Sequence, residues 1–335
     1  MIPNIFKWAT SELSQDAFFA WLLEWADGNN YEYNLPLSNI SKDIIRLFIG
    51  KINYEIHKVE IWRQWVNIDI TIEVNDEYAI FIEDKKWAGE HSNQLEKYKE
   101  IALKEYANKH HQLIFIYLKT ENESMYKLKK IEEKGYKIIS RSDLLELFTK
   151  EEIVNDIFID FKDYLMEIEN QTKSYRKLEN VVNNGRACQG FYMEIQNLLG
   201  KGTFSDWGYV PNKSGGFLGL WYHWKSAHKI NEIHIQIENS FHSEDNIKLV
   251  IKIADYEGDA RTLYQILNQI IPVAKKNGLN LIKPNKFRVA EKSTLAIVEN
   301  AFKKDNNGDI LMDNFYKTLK NLEKTIDDYC IQYPA

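Results

Sequence analysis

An aspartate set in an otherwise apolar run constrains this chain more than any other feature. Asp69 interrupts Val66-Asn67-Ile68-Asp69-Ile70-Thr71-Ile72, and shortly afterwards Ile80-Phe81-Ile82-Glu83-Asp84-Lys85 brings two more acids and a lysine into an equally apolar run. Both alternate with the period of a strand, and Asn75-Asp76-Glu77 between them has turn composition, so a β-hairpin is expected. A turn centred on Asp76 pairs Ile70 with Ile82, Ile72 with Ile80 and Val74 with Tyr78, leaving one face continuously apolar. The other face then carries Asn67, Asp69, Thr71, Phe81, Glu83 and Lys85, with Asp69 opposite Glu83. A tighter turn at Asp76-Glu77 would pair Ile70 with Glu83 and place isoleucines among the charges, so burial selects the first register.

Two carboxylates facing each other across a hairpin repel, and unless something neutralises them one takes up a proton at neutral pH. A divalent cation resolves the conflict. An all-oxygen donor set with positions left for water and phosphate suits Mg²⁺ or Mn²⁺ better than a soft-ligand metal. The neighbouring Lys85 ammonium can polarise an attacking water and stabilise charge growing on a phosphoryl group. The plainer alternative is that Asp69 caps a strand end while Glu83 and Lys85 form a solvated cross-strand pair, since short charge patterns recur widely.

The next segment favours the chemical reading. After Trp87-Ala88-Gly89 a helix is expected to start near Ser92, with Gln94 and Tyr98 one turn apart on one face. With Asp69, Glu83-Asp84-Lys85 and Gln94-x-x-x-Tyr98 in this order, the chain resembles the PD-(D/E)XK nuclease superfamily, specifically its RecB-like branch and its uncharacterised bacterial members. The stretch from Glu12 to Leu23 is similar to the first core helix of that superfamily, where an additional acid often joins the metal site. The resemblance covers roughly residues 5 to 150. It implies Asp69 and Glu83 as metal ligands, the Asp84 backbone carbonyl as a further ligand, and Lys85 as the residue acting on water and developing charge. It implies Gln94 and Tyr98 as substrate-positioning residues and Glu12 as the helix acid. Asp16, one turn beyond Glu12, competes for that last role, and Asp84 adds negative charge beside the site. Glu12 can equally be a first-turn acid favoured by the helix dipole. Gln94 can be an ordinary exposed residue, and Tyr98 can belong to the apolar stripe of Leu95, Ala102 and Tyr106.

With 335 residues, 44% hydrophobic and 13% aromatic, the chain can fill two cores. No apolar run approaches membrane-spanning length, and the patch Phe18 to Leu23 is flanked by acids and lacks a basic leader, so neither a membrane anchor nor a signal peptide is expected. Only Cys188 and Cys330 occur. That pattern supports a reducing, cytoplasmic setting and excludes a four-cysteine zinc site. A net charge of −6 argues against a simple nucleic-acid coat protein, although a metal-dependent active site is acidic by construction. Lys127, Lys129, Lys130, Lys134, Lys137 and Arg141 form a basic cluster that reads as a solvated helix face interleaved with Glu132 and Glu133.

The expected order is helices over 11–26 and 40–50, strands over 53–62, 66–74 and 78–84, a helix over 92–108, a strand over 113–118, a further helix, and a short strand over 137–140. The fold class is therefore α/β: a restriction-endonuclease-like αβββαβ core with a mixed central sheet, followed by an α+β domain with an antiparallel sheet. Helices over 143–148 and 153–168 close the first half. The polar stretch Glu169 to Ser174 is the expected domain boundary, giving a nuclease-like domain over 1–172 and an accessory domain over 173–335 for recognition, regulation or assembly. In the second half, strands over 217–224, 232–238 and 247–254 and helices over 191–199, 260–276 and 312–330 are expected. Leu218, Leu220, Tyr222 and Trp224 should share a buried face, with Trp221 and His223 opposite; Trp207, Tyr209, Trp221, Tyr222 and Trp224 could instead serve as a base-stacking platform. His223, His228, His234 and His242 lack ligand spacing, and Asp305-Asn306-Asn307-Gly308-Asp309 fails as a calcium loop and reads as a turn.

These features together point to a hydrolase that cleaves phosphodiester bonds with Mg²⁺ or Mn²⁺, acting on nucleic acid and preferentially DNA; the resemblance to uncharacterised bacterial members of the superfamily implies a role in restriction or anti-phage defence. Association into a homo-oligomer stays open. The competing expectation is a catalytically inactive nucleic-acid-binding or assembly module that keeps the fold.

Overall fold

The computed structural model describes residues 3–87, 93–200, 202–212, 215–228, 230–254, 256, 258–287 and 289–335. It divides into two units, residues 1–123 with 127–170, and residues 124–126 with 171–335.

In the first unit, α1 (Glu12–Glu24) and α2 (Leu35–Ile49) precede β1 (Val59–Trp65), β2 (Ile68–Val74) and β3 (Tyr78–Lys85). Then come α3 (Gln94–Glu105), β4 (Gln112–Lys119), α4 (Met125–Glu133), β5 (Lys137–Ser140), α5 (Arg141–Phe148) and α6 (Asp156–Lys173). The five strands lie in sequence order; β1, β2 and β3 are antiparallel, and β4 and β5 add in parallel. This is the mixed αβββαβ core that the sequence predicts. The central hairpin has the expected register, Ile70 with Ile82, Ile72 with Ile80 and Val74 with Tyr78.

Strand alternation sends Ile70, Ile72, Ile80 and Ile82 to one face, where they pack with Phe19, Leu22, Ile44, Phe48 and Phe161 of the α1, α2 and α6 side. Ala79, Phe81, Phe115 and Tyr117 go to the other face, under Leu95, Ala102 and Tyr106 of α3 and Ile131 of α4. Because β3 is flanked by strands on both edges, it is buried along its whole length. That position is what removes its charged end from water.

Two expectations for this unit need correction. The second strand starts at Ile68, because Val66 and Asn67 form a two-residue turn with φ of 46° and 69°, closing Trp65 against Ile68. The stretch from Glu169 to Ser174 is helical as far as Lys173, the last residue of α6, and Glu169 accepts a 2.8 Å hydrogen bond from the buried Arg141 guanidinium. Arg141 accordingly leaves the solvated basic face, which it was expected to share with Lys127 to Lys137.

The second unit comprises α7 (Leu178–Asn183), α8 (Gly185–Leu199), β6 (Ser205–Val210), β7 (Phe217–Ala227), β8 (Ile230–Asn239), β9 (Ile247–Ala254), α9 (Ala260–Lys276), β10 (Leu281–Ile282), β11 (Lys292–Val298) and α10 (Met312–Gln332). Its sheet is antiparallel in the order β10-β11-β9-β8-β7-β6. Leu220, Tyr222, Ile233, Ile235, Leu249 and Ile251 face the core with residues of α8, α9 and α10. Trp224 does not join them. A bulge with His223 at φ 60° reverses the alternation, and Trp224 stacks on His234 with ring centroids 3.6 Å apart. The segment Asp305 to Asp309 is a turn, with the Asp305 carboxylate accepting from the Asn307 and Asp309 amides.

Candidate active site

The β2–β3 ladder ends at the Ile70–Ile82 pair, and one step beyond it a side chain takes over the backbone's role. Asp69 Oδ2 accepts the Asp84 N–H at 2.9 Å, while Gln64 Nε2 donates to Oδ1 at 3.2 Å. Gln64, Val66 and Asn67 all have positive φ, and for the β-branched Val66 this is an uncommon conformation. Backbone strain thus sits directly before the aspartate that it presents.

Glu83 and Lys85 continue the face of β3 that carries Phe81. Glu83 is 1% exposed, and Lys85 Nζ lies 2.5 Å from its Oε1. Glu83 Oε2 has no hydrogen-bond partner among the described residues. Burial, reinforced by the charge of Asp69, pushes the Glu83 carboxyl up to about 8, despite the ammonium beside it. Burial also raises Asp69 above the usual carboxylate range, against the Asp84 amide and Lys85, which lower it. For Lys85 burial opposes the charge, but Glu83, Glu12 and Asp69 outweigh it and hold the group above the ordinary lysine range.

Glu12 and Asp16 lie in different surroundings. Glu12 Oε2 is 3.7 Å from Lys85 Nζ, and its Oε1 accepts the Lys86 N–H at 2.9 Å. Asp16 joins a buried group on the other side of β3. The Asp84 side chain, opposite in strand parity to Glu83, points toward α1, where Gln15 Nε2 donates to its Oδ1 at 2.5 Å and Thr120 donates to Gln15 at 2.9 Å. Burial and then Asp69 raise Asp16 to about 6, while burial and then Asp16 raise Asp84 well above its ordinary value. Burial and their mutual proximity thus favour the neutral form of both carboxyls relative to free aspartate. Sequence reasoning missed this pair and Gln15; the signal was the even position of Asp84, shared with Ile80 and Ile82, which aims it at α1.

Gln94 and Tyr98 lie on α3 over the same face as Phe81. Gln94 Nε2 donates to the Tyr98 hydroxyl at 2.8 Å, and among the described residues neither bonds Asp69, Glu83 or Lys85. Tyr98 also packs against the Leu95 and Ala102 core, as the plainer reading has it. The expected helix start at Ser92 lies outside the described residues, as do Ala88 and Gly89.

The donor set fits a hard divalent cation. Asp69, Glu83 and Glu12 supply carboxylate oxygens only, and the unpartnered buried Glu83 Oε2 is the kind of atom that a folded protein rarely leaves unsatisfied without a ligand to meet it. No helix among the described residues is long and apolar enough to cross a membrane.

No curated protein and no solved structure matches the chain. A model of the PD-(D/E)XK nuclease superfamily matches residues 3–188, which takes in the whole α1 to β5 core and continues into α8. Since that match spans more than half of the chain and includes the strand pair carrying Asp69, Glu83 and Lys85, the protein belongs to the PD-(D/E)XK nuclease superfamily.

Proposed function

We propose that the protein is a Mg²⁺- or Mn²⁺-dependent nuclease that hydrolyses phosphodiester bonds in DNA, with Asp69, Glu83 and Lys85 as its catalytic residues. The observation that carries the reading is the buried Glu83–Lys85 pair beside the Asp69 carboxylate, at the end of a strand where no structural need calls for charge. Asp69, Glu83 and the Asp84 backbone carbonyl would hold the cation, with Glu12 as the additional acid from α1. When bound, a divalent cation supplies Lewis acidity toward a phosphoryl oxygen and toward water.

The chain's own residues do the rest. The Asp84 N–H and Gln64 fix the Asp69 carboxylate in one orientation and leave its remaining lone pairs for the ligand. Lys85, kept protonated by the surrounding acids, can donate to an attacking water and to the phosphoryl oxygen on which charge accumulates. Gln94 and Tyr98, fixed to one another on α3, would position substrate, as in the RecB-like branch. The second unit would select substrate or assemble the enzyme. Kinship with bacterial members of the superfamily supports a place in restriction or anti-phage defence in the cytoplasm.

The test is incubation of the purified chain with plasmid, linear duplex, single-stranded DNA and RNA, with and without Mg²⁺ or Mn²⁺. Cation-dependent cleavage of DNA in wild type, absent in Lys85→Ala, is expected. Cleavage of RNA alone would overturn the substrate assignment. No cleavage of any substrate, combined with nucleic-acid binding, would favour the inactive module.

A further inference from the structure

The β2–β3 turn lies at the end of the central sheet away from Glu83 and Lys85, and it carries a second group of metal-ligating side chains. Glu73 near the end of β2, Asp76 in the turn and His111 immediately before β4 place donor atoms within 4.8 Å of one another. Imidazole nitrogen distinguishes this group from the all-oxygen set of the candidate active site.

His111 is the informative member. Its side chain is only 10% exposed, and neither ring nitrogen has a hydrogen-bond partner among the described residues. Nε2 points at Glu73 Oε2 from 3.7 Å, too long for a hydrogen bond. The ring is held edge-on to Tyr106, with centroids 5.5 Å apart. A buried imidazole with both nitrogens unmet is costly unless something meets them.

The surrounding contacts orient the carboxylates. Glu73 Oε1 is taken by the Lys109 ammonium at 2.8 Å and the Tyr106 hydroxyl at 2.7 Å, so its other oxygen is the one that faces His111. Lys58 holds Asp76 Oδ1 at 2.9 Å. The backbone is fixed as well, since Gln112 N–H donates to the Glu77 carbonyl at 2.7 Å.

We propose that Glu73, Asp76 and His111 form a second metal site, one that takes a borderline transition-metal ion such as Zn²⁺ and pins the β2–β3 turn to the start of β4. Two lysines already neutralise the two acids, so a hard cation held by charge alone gains little there, whereas the imidazole favours Zn²⁺ over Mg²⁺. Donor atoms around Zn²⁺ at about 2.0–2.2 Å lie roughly 3–3.5 Å apart. The group therefore has to contract by roughly 1 Å, which rotation of the exposed Asp76 side chain permits. The remaining coordination positions would go to water.

The experiment is isothermal titration of the full chain with ZnCl₂, in an Asp69→Asn/Glu83→Gln background that removes the other candidate site. One Zn²⁺ per chain is expected there, with affinity unchanged by millimolar Mg²⁺. Adding His111→Gln should weaken binding at least about tenfold. Asp76→Asn, whose side chain is 66% exposed and plays no part in the core, should weaken it too and guards against misfolding of the histidine variant. Should the double background fail to fold, the same His111→Gln change in the otherwise wild-type chain should lower the Zn²⁺ stoichiometry by one. Absence of Zn²⁺ binding, binding indifferent to both substitutions, or Mg²⁺ binding as tightly as Zn²⁺ would overturn the proposal and leave His111 as a packing neighbour of Tyr106 and Glu73.

Discussion

Loading the candidate active site with Mg²⁺ should expel a proton, and the structure sets how much. Burial and Asp69 raise Glu83 to about 8. At pH 7 such a group is about nine-tenths protonated, and at pH 9 about one-tenth. A cation that binds only the carboxylate form must therefore release about 0.9 proton at pH 7 and about 0.1 at pH 9, and its apparent affinity should rise about tenfold between them. Calorimetric titration with MgCl₂ in two buffers of different ionisation enthalpy reads the proton count directly. Asp16, near 6, adds at most about a tenth of a proton at pH 7. Glu83→Gln should abolish the release. The same shift predicts a stability effect of definite sign. In the unfolded chain Glu83 ionises near 4.5, so the cation-free fold loses stability as pH rises from there to about 8. The loss is at most roughly 5 kcal/mol, and Glu83→Gln should restore it at pH 9. Proton release near zero at pH 7, or a glutamine variant less stable than wild type at pH 9, would refute the reasoning.

Lys85→Ala should cut cleavage by at least about 10²-fold while sparing cation and DNA affinity, whereas Asp69→Ala should weaken cation binding as well, because it also unseats the Asp84 amide. Equal activity in wild type and both variants would point to a contaminant. In the second unit, burial pushes His234 down to about 4 where it stacks on Trp224. Its contribution should be complete above the ordinary value of 6.5 and fade as pH falls through 4, a loss of roughly 3 kcal/mol that denaturant titrations should register and His234→Gln should remove. Gly190 of α8 lies so close to the end of α6 that an added Cβ would sit 2.1 Å from the Thr172 carbonyl oxygen. Gly190→Ala should therefore cost roughly 1–3 kcal/mol in the same titrations; a neutral result would mean that the two helices separate freely.

What the sequence disclosed and what it concealed follow from the range of the forces involved. The hairpin register was legible because slipping it by one residue would bury Glu83 against Ile70, a penalty written locally in the alternation. The face shared by Asp69, Glu83 and Lys85 came with it. The second sheet was half legible. Its three central strands, β7 to β9, are long and alternate clearly, whereas β10 has two residues, β11 contains a bulge after Thr294, and β6 is broken in pattern by Gly208. Those three strands exist because neighbours supply their hydrogen bonds, and pairing of that kind leaves little mark on composition. Trp224 was misplaced for a related reason: one residue at positive φ reverses every later side chain, and His223 is not a residue type that announces it.

The buried polar groups show the same division at higher stakes. Asp84 was visible as an extra charge beside the site, but its partners Gln15, Asp16 and Thr120 come from α1 and from the end of β4, and only packing of the helix on the sheet brings them together. Once assembled, the arrangement gives β3 two chemically distinct faces at a single position along its length. Glu83 and Lys85 form a close pair toward α3, and Asp84 with Asp16 forms a buried acid pair toward α1. The backbone links the two, because the Asp84 N–H is the donor that fixes Asp69. A substitution of Asp84 by an uncharged residue of similar size would keep that amide while removing the acid–acid hydrogen bond to Asp16. The orientation of Asp69 therefore depends on where the backbone of residue 84 is held, and the buried acid pair behind it is one of the contacts that hold it there.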